Sequence, residues 1–441
     1  EVITNDTTIQ ATRGLAYKQI YYRDFFDDEE LLFTTLTDEV DELYNFWEHG
    51  EPKFDKTNRA FSLPYAWDIN LVRPYTGAGS TIQLVSPFLD FSNAQDVFLS
   101  FFNNRDIDTA KDGVYLQYSL DQGRTWETVP ELGDPNRLKW YNSYLADPSF
   151  GGQFVFSGIT RYIPQNWHNW IESEIMLPSI FDNQPLVLLR FNFFAEEGLQ
   201  SNDGMSIDNF LVYDRKPLDV EPQFIMQPRT ECDMTSTERF KVAYKNRGEQ
   251  TFNSFDVEYV VTNLESGNTQ RQFETINRTI NPRDTIYHLS TVTFDMRELG
   301  DYLVTVITNL QNDGYAINDT LSQTVENIDG CYLMFEAITG AYKRPAIVDS
   351  SFWRFEYTSG DREYVVTDDY RPFDPVAVNE RLVCIKKNSF VKFTLGDMDT
   401  TIVEYSLYAY DGEEDTILVD RSIGGTSSPT RFFNWICPPD S

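Results

Sequence analysis

Hydrophobic and polar residues alternate in short runs along most of this chain, and the clearest run lies at residues 113–126. Val114, Leu116 and Tyr118 occupy every second position, so an extended backbone would place them on one face. The next residues, Asp121–Gly123, have the composition of a tight turn, and a second apolar stretch follows them. This pattern predicts a β-hairpin.

The turn of this hairpin resembles the Asp-box, in which Ser119, Asp121, Gly123, Thr125 and Trp126 hold the matching positions. The Asp121 carboxylate can accept backbone N–H bonds within the turn, and Gly123 tolerates a positive φ. Sialidases repeat this hairpin around a propeller, whereas it occurs once here. We therefore predict a folding element and not a sialidase.

Similar alternating strands, separated by Gly, Pro, Asn and Asp, recur through the chain, and helical periodicity is scarce. Aromatic residues make up 15% of the chain, which favours strands. We predict an all-β fold of three tandem β-sandwich domains: a jelly roll, an Ig-like domain and a C-terminal β-sandwich.

Two changes in composition predict the domain boundaries, a proline-rich linker at 214–228 and a turn at 326–330. The predicted parts are an extended N-terminal arm at 1–13, a jelly roll at 14–216, an Ig-like domain at 220–328 and a cysteine-containing β-sandwich at 330–441.

The chain has 69 acidic and 36 basic residues, for a formal net charge of −33. Such a charge repels nucleic acids and anionic membrane surfaces, so neither is an expected partner. No apolar run reaches the 18 residues of a membrane-spanning helix, so membrane insertion is not expected. The charge suits a secreted or cell-surface protein and carboxylate loops that bind divalent cations.

Four cysteines lie in the second half, and their spacing fits no zinc motif, so disulfide bonds are the expected use. We expect at least one bond between two of Cys331, Cys384 and Cys437. Cys232 is expected at the pole of the middle domain that faces away from the third, because it opens that domain. One cysteine would then be free or bonded between molecules.

No catalytic constellation is evident, since His49, His168 and His288 lie far apart in sequence. Distance in sequence does not exclude a Ser–His or Cys–His triad, but we do not expect an enzyme. Trp140, Tyr141, Trp167 and Trp170 are candidate stacking platforms for sugar rings, although such aromatics more often pack a core.

Several ordered phrases of the first 216 residues are similar to the MAM-like jelly-roll domains of Bacteroidetes secreted and surface proteins. These phrases begin at Phe46, Ala66, Val85, Trp140, Leu186 and Asp203. Phe240–Gly248 and Gly300–Val306 resemble the Ig-like, adhesion-type modules that follow such jelly rolls. The last domain is loosely similar to cysteine-flanked β-modules of the same proteins.

The jelly-roll resemblance implies a structural calcium ion between the first and last strands. Matched by position, Asp24 or Asp27 and Asp208 are the expected ligands. Further candidates are Asp90, Asp112 and Asp203. Each of these acids has an alternative interpretation as a turn cap or a solvated side chain.

The resemblance also implies O-glycosylation, which these bacteria direct to Asp-Thr followed by an apolar residue or Thr. The matching residues are Thr7, Thr109, Thr285, Thr320, Thr400 and Thr416. An acidic, Thr-rich chain also produces such triplets by chance.

Residues 3–10 resemble 316–323, which we interpret as the closing strand of the Ig-like domain. Ile3, Asn5, Thr7 and Ile9 are therefore candidate assembly residues, on a strand donated head to tail to a second copy of the chain. Such a contact need not close, so it would grow a filament. Two alternatives are the end of an upstream module and chance similarity in an unstructured terminus.

We therefore expect a non-catalytic extracellular structural or adhesion protein of a bacterial surface, with a fibre or filament subunit as one form of it. A surface glycan or a protein is the expected ligand. The alternative is an accessory, ligand-binding or carbohydrate-binding region of a secreted hydrolase.

Overall fold

The computed structural model describes most of the chain, and contacts divide it into two compact units, Glu1–Asp214 and Arg215–Ser441. The described residues are 17–27, 31–37, 45–54, 56–57, 59–62, 64–76, 81–109, 111–131, 137–146, 152–160, 170–196, 202–342, 352–359, 362–367, 378–396, 400–410, 417–423 and 430–437.

The first unit is a sandwich whose strands are mostly short, as the alternating pattern predicts. Its strands are β1 Tyr17–Gln19, β2 Tyr22–Asp24, β3 Thr34–Thr37, β4 Trp47–Gly50, β5 Ala66–Ile69, β6 Thr81–Val85, β7 Phe88–Asp90, β8 Val97–Ile107, β9 Gly113–Ser119, β10 Glu127–Thr128, β11 Arg137–Leu138, β12 Ser143–Leu145, β13 Gln153–Val155, β14 Gly158–Ile159, β15 Ile171–Met176, β16 Leu188–Phe194 and β17 Gly204–Asp214. One three-residue 3₁₀ helix, Ser179–Phe181, precedes β16.

Two main sheets form this N-terminal sandwich. One has the strand order β10-β9-β16-β6-β3, and the other has the order β11-β15-β8-β17-β5-β4, with β14 on β8 and β2 on β17. Small two-stranded sheets join β1 to β7 and β12 to β13. The core between the main sheets is rich in fully buried aromatic rings, including Phe33, Tyr75, Phe91, Phe101, Phe156 and Phe191.

Strand β8 is buried on both faces along all of its 11 residues. Leu99 and Phe101 face the main core, whereas Phe102 belongs to a separate cluster with Phe61 and Trp170. The rings of Phe61 and Phe102 stack with centroids 3.8 Å apart. A segment between β4 and β5 therefore covers the second face of this sheet.

The second unit begins with a sandwich of three- and five-stranded sheets, which we call the middle sandwich. Their orders are β18-β20-β23 and β19-β25-β24-β21-β22. The strands are β18 Val220–Gln227, β19 Glu231–Cys232, β20 Lys241–Asn246, β21 Phe252–Asn263, β22 Thr269–Ile280, β23 Thr285–Leu289, β24 Gly300–Asn309 and β25 Thr320–Ile328. Tyr244, Tyr259 and Val261 lie in its core.

Two four-stranded sheets form the C-terminal sandwich, with the orders β29-β26-β31-β32 and β28-β27-β30-β33. The strands are β26 Gly330–Tyr342, β27 Phe352–Ser359, β28 Arg362–Thr367, β29 Val378–Lys386, β30 Phe390–Gly396, β31 Thr400–Tyr410, β32 Ile417–Ile423 and β33 Thr430–Asn434. Phe335, Phe355, Phe393 and Trp435 fill its core.

The prediction of an all-β, multi-sandwich fold is confirmed. Hydrophobic clusters of the three sandwiches are separate, and each uses residues at alternate positions of its strands. No helix among the described residues is long and apolar enough to cross a membrane.

Candidate functional site

Buried carboxylates attach residues 56–57 and 61–62, which lie between β4 and β5, to the N-terminal sandwich. Asp203 precedes β17, is fully buried, and accepts hydrogen bonds from the backbone N–H groups of Lys56 and Thr57. The Lys56 ammonium group lies 3.2 Å from the carboxylate of Asp106, which is on β8. These bonds link the segment to two neighbouring strands of the eight-stranded sheet.

Asp208, on β17, makes the densest set of hydrogen bonds in this region. Its Oδ2 accepts from the N–H groups of Phe61 at 2.8 Å and Ser62 at 2.9 Å. Its Oδ1 accepts from the Ser62 hydroxyl at 2.9 Å and from the Asn209 N–H at 2.6 Å. Burial, together with the nearby carboxylate of Asp27, raises the pKa of Asp208 well above its ordinary value.

The topology does bring the first strands beside the last one, as the calcium prediction requires. Strand β2 pairs with β17, and Asp24 lies opposite Phe210. Asp24 accepts hydrogen bonds from the Tyr22 hydroxyl at 2.5 Å and from the Phe26 N–H at 2.9 Å. Because four donors already occupy Asp208, a cation there would have to displace at least one of them. Calcium binding at Asp24, Asp27 and Asp208 stays a prediction.

The other two candidate ligands are used elsewhere. Asp90 accepts a hydrogen bond at 2.9 Å from the N–H of Ser92, within a turn. Asp112 accepts from the Tyr75 hydroxyl at 2.6 Å and from the Glu196 N–H at 2.7 Å. Among the described residues, no three Asp, Glu, His or Cys side chains lie together at metal-ligand spacing.

Sequence reasoning missed Asp68 as a buried acid. It lies on β5, is fully buried, and accepts hydrogen bonds from the hydroxyls of Thr57 at 3.2 Å and Ser206 at 3.0 Å. Burial raises the pKa of Asp68 to about 8. Asp68 alternates with the core residues Trp67 and Ile69, so the signal available was an acid on the second face of a strand.

The Asp-box hairpin has the predicted form. Strands β9 and β10 are antiparallel, and the Ser119 hydroxyl accepts a hydrogen bond from the Gly123 N–H at 2.8 Å. Asp121 accepts from the N–H of Thr125 at 2.9 Å and from its hydroxyl at 2.7 Å. The Thr125 bonds lower the pKa of Asp121 to about 2. Each of these bonds is internal to the turn, which fits a folding element.

The prediction of sugar-stacking platforms is wrong for three of its four residues. Trp140 and Tyr141 are almost fully buried and contact the ring of Phe156. Trp170 is buried beside Phe61. These aromatics pack the sandwich and present no face to a ligand, while Trp167 lies outside the described residues.

The predicted glycosylation residues are distributed over several surfaces. Thr109 and Thr320 are exposed, and Thr285 is half-buried at the start of β23. Thr400 begins β31. Thr7, Thr416 and the candidate assembly residues Ile3, Asn5 and Ile9 lie outside the described residues.

All four cysteines are paired, so the expectation of a leftover cysteine is wrong. Cys331 bonds to Cys437 within the C-terminal sandwich, which satisfies the prediction of a bond inside that module. Cys232 bonds to Cys384, with Cα atoms 5.5 Å apart. Cys232 lies on the two-residue strand β19, parallel to the end of β25, so it sits where the chain leaves the middle sandwich. The expected placement at the opposite pole is therefore wrong.

Noncovalent contacts surround this inter-module disulfide. Cys232 and Cys384 are buried in one cluster with Ile328. The Tyr332 hydroxyl donates to the carbonyl oxygen of Cys232 at 2.8 Å. The middle and C-terminal sandwiches therefore share a packed junction.

A carboxylate at the end of β25 adds polar contacts to this junction. Glu326 accepts from the Lys386 ammonium at 2.7 Å and from the Tyr364 hydroxyl at 2.9 Å. Glu326 belongs to the middle sandwich, and both donors belong to the C-terminal one. Rotation at the junction would break these bonds as well as strain the disulfide.

No protein-family model matches the chain, and no curated protein matches it. Solved structures that align with it include a glycosyl hydrolase family 2 member from Bacteroides cellulosilyticus, at 12% identity and a TM-score of 0.33, over 73% of this chain and 36% of that one. A putative beta-galactosidase from Bacteroides fragilis aligns at 11% identity and a TM-score of 0.30, over 78% and 44%.

The glycoside hydrolase domain of Endo-D from Streptococcus pneumoniae R6 aligns at 8% identity and a TM-score of 0.28, over 67% of this chain and 37% of that one. This chain therefore spans less than half the length of these three structures. TM-scores this low establish neither a common fold nor a common activity.

Proposed function

We propose that this chain is a non-catalytic structural or adhesion segment of an extracellular bacterial protein, and that its second unit carries mechanical tension. The observation that supports this most is the Cys232–Cys384 disulfide, which spans 152 residues of sequence. Disulfides persist in oxidising compartments, which agrees with an extracellular location.

The position of this disulfide determines which strands can extend under tension. Strands β20 to β25 follow Cys232 and lie within the closed loop, whereas β18 lies before it and β19 ends at Cys232. Force applied to the two chain ends passes from Cys232 directly to Cys384. The middle sandwich can lose its folded structure, yet most of its chain cannot be pulled out. The disulfide is thus a covalent bypass around the middle sandwich. It limits how far the chain can lengthen under force, which suits a structural protein.

Pulling the intact chain by its ends tests the proposal. Reduction should lengthen the fully extended chain by 152 residues, which is roughly 500 Å at about 3.5 Å per residue. In Cys232→Ala/Cys384→Ala the remaining Cys331–Cys437 bond closes 106 residues. This variant should therefore have about 46 more extensible residues than the oxidised parent, or roughly 160 Å.

Cys331→Ala/Cys437→Ala is the matched control. Cys331 lies inside the loop that Cys232 and Cys384 close, so its removal should not change the extended length. Equal lengths for the oxidised and reduced parent would refute the bypass, and with it the proposal that the second unit carries tension.

The alternative is an accessory region of a secreted hydrolase. It rests on the modular organisation of the sequence and would be favoured if the complete gene encodes a catalytic domain beside these modules. Binding of a surface glycan, O-glycosylation and head-to-tail assembly through the N-terminal arm belong to the same proposal and need separate tests.

A further inference from the structure

The pole at which the chain enters the middle sandwich holds residues 216–219 tightly. Backbone N–H groups of the loop after β20 donate to the carbonyl oxygens of Lys216 at 3.0 Å, Pro217 at 2.9 Å and Asp219 at 3.0 Å. From the loop after β24, the Gly314 N–H donates to the Leu218 carbonyl at 2.8 Å. Asp219 is therefore fixed between two loops of this sandwich.

Acidic residues are concentrated at this entrance pole. Asp219 and Glu221 are fully buried. Asp313 lies beside them and accepts hydrogen bonds at 2.9 Å from the N–H groups of Val220 and Tyr315. The charged partner of Glu221 is Arg247, whose Nε lies 2.5 Å from a Glu221 oxygen. Arg247 thus pairs with Glu221, and the buried Lys245 lies opposite Glu221 in the ladder between β18 and β20.

Two buried oxygen atoms at this pole have no hydrogen-bond partner in the described part of the chain. Asp219 accepts from the Asn318 amide through Oδ1 at 2.9 Å, but its Oδ2 is unpaired. The Oδ1 of Asn318 is also unpaired, and Asn318 is only 4% exposed. An unpaired buried carboxylate oxygen is costly, because it loses its water without gaining a donor.

We propose that the entrance pole binds one calcium ion, with Asp219 Oδ2 and Asn318 Oδ1 as side-chain ligands and Glu221 and Asp313 supplying negative charge around it. Since no three acidic side chains of the described residues lie at ligand spacing, backbone carbonyls and water would complete the shell. Calcium accepts such mixed, irregular oxygen ligands, whereas magnesium requires a compact octahedron. The ion would lock residues 216–220 to the loops after β20 and β24.

Calorimetric titration and thermal unfolding of the full chain, freed of metal with a chelator, test this site. Calcium chloride should bind and raise the unfolding temperature, and magnesium chloride at the same concentration should do much less. Asp219→Asn should weaken calcium affinity at this site at least about tenfold, equal to 1.4 kcal/mol. Without calcium it should be at least as stable as the parent, because it removes a buried, unpaired charge.

Asn318→Asp gives an independent test with the opposite sign. It adds a carboxylate to the ligand set, so it should tighten calcium binding and lower the unfolding temperature in the absence of calcium. Asp256→Asn, at an exposed position of β21, is the matched control and should leave calcium binding unchanged. Asp208→Asn separates this site from the calcium site predicted in the N-terminal sandwich.

Two results would overturn the proposal. One is a parent protein that shows no heat of binding and no thermal shift at millimolar calcium. The other is an Asp219→Asn variant that keeps the full calcium response, particularly if Asp208→Asn removes it. In the second case the ion belongs to the N-terminal sandwich, and the unpaired oxygens at the entrance pole would be assigned to a bound proton or water.

Discussion

Removing the Cys232–Cys384 disulfide should destabilise the C-terminal sandwich. The bond closes a loop of 152 residues. A loop of that length loses about 5 kcal/mol of unfolded-state entropy at 25 °C in the chain-entropy model. Because Cys331–Cys437 already restricts part of this loop, we expect Cys232→Ala/Cys384→Ala to lower the free energy of unfolding by about 2–5 kcal/mol.

Hydrogen exchange measured by mass spectrometry at increasing denaturant concentration can localise this effect in the intact chain. Peptides from β27 and β30 report on the core around Phe355 and Phe393. Their protection should be lost at lower denaturant in the variant, while peptides from β8 and β16 in the N-terminal sandwich should not change. An unchanged midpoint for the C-terminal peptides would refute the inference that the disulfide couples the two modules.

Three further outcomes follow from buried polar groups. Asp208→Ala leaves the backbone N–H groups of Phe61, Ser62 and Asn209 without their acceptor, so chemical unfolding of the N-terminal sandwich should show a loss of at least about 3 kcal/mol; an equal midpoint would contradict this. Burial raises the pKa of Asp68 in the folded state to about 8, from 3.8 in the unfolded chain. The stabilisation that the protonated Asp68 gives to the folded state is therefore fully present below pH 3.8 and is lost as the pH rises through 8. Asp68→Asn should therefore be more stable than the parent at pH 9 but not at pH 5 in urea unfolding, and parallel profiles would refute it. Lys386→Met removes a partly exposed ion pair with Glu326 and should cost about 1 kcal/mol or less at low salt, with little effect at high salt; a loss that does not depend on salt would argue against an electrostatic origin.

Local pattern was enough to predict the fold class and the hairpin at 113–126. Side chains of a strand alternate between two faces, and the sequence shows this period of two directly in residues such as Val114, Leu116 and Tyr118. Asp121 and Gly123 act within their own turn, so their roles needed no knowledge of distant residues. The predicted linker at 214–228 begins where the contact boundary falls, beside Asp214, but Val220–Gln227 forms strand β18, so most of this segment is part of the middle sandwich and not a linker.

Predictions that depended on distant partners were less successful. Trp140, Tyr141 and Trp170 have the composition of a binding platform, but packing buries all three. Asp90 and Asp112 are further candidate ligands by sequence, yet in the structure each accepts hydrogen bonds from a different part of the fold. Whether a carboxylate accepts backbone hydrogen bonds or is available to bind a cation depends on the hydrogen-bond donors around it, which come from other parts of the chain.

The sequence by itself determined that this chain is all-β, acidic and built from successive sandwiches, because alternation and composition are properties of neighbouring residues. Only the tertiary structure decided the pairing of Cys232 with Cys384, which lie 152 residues apart in sequence, since that pairing required β19 to lie beside the end of β25. The same holds for the entrance pole, where Asp219 meets Asn318, which lies 99 residues later. Pairing between strands that are distant in sequence brings these residues together, and the local alternation of hydrophobic and polar residues contains no information about that pairing.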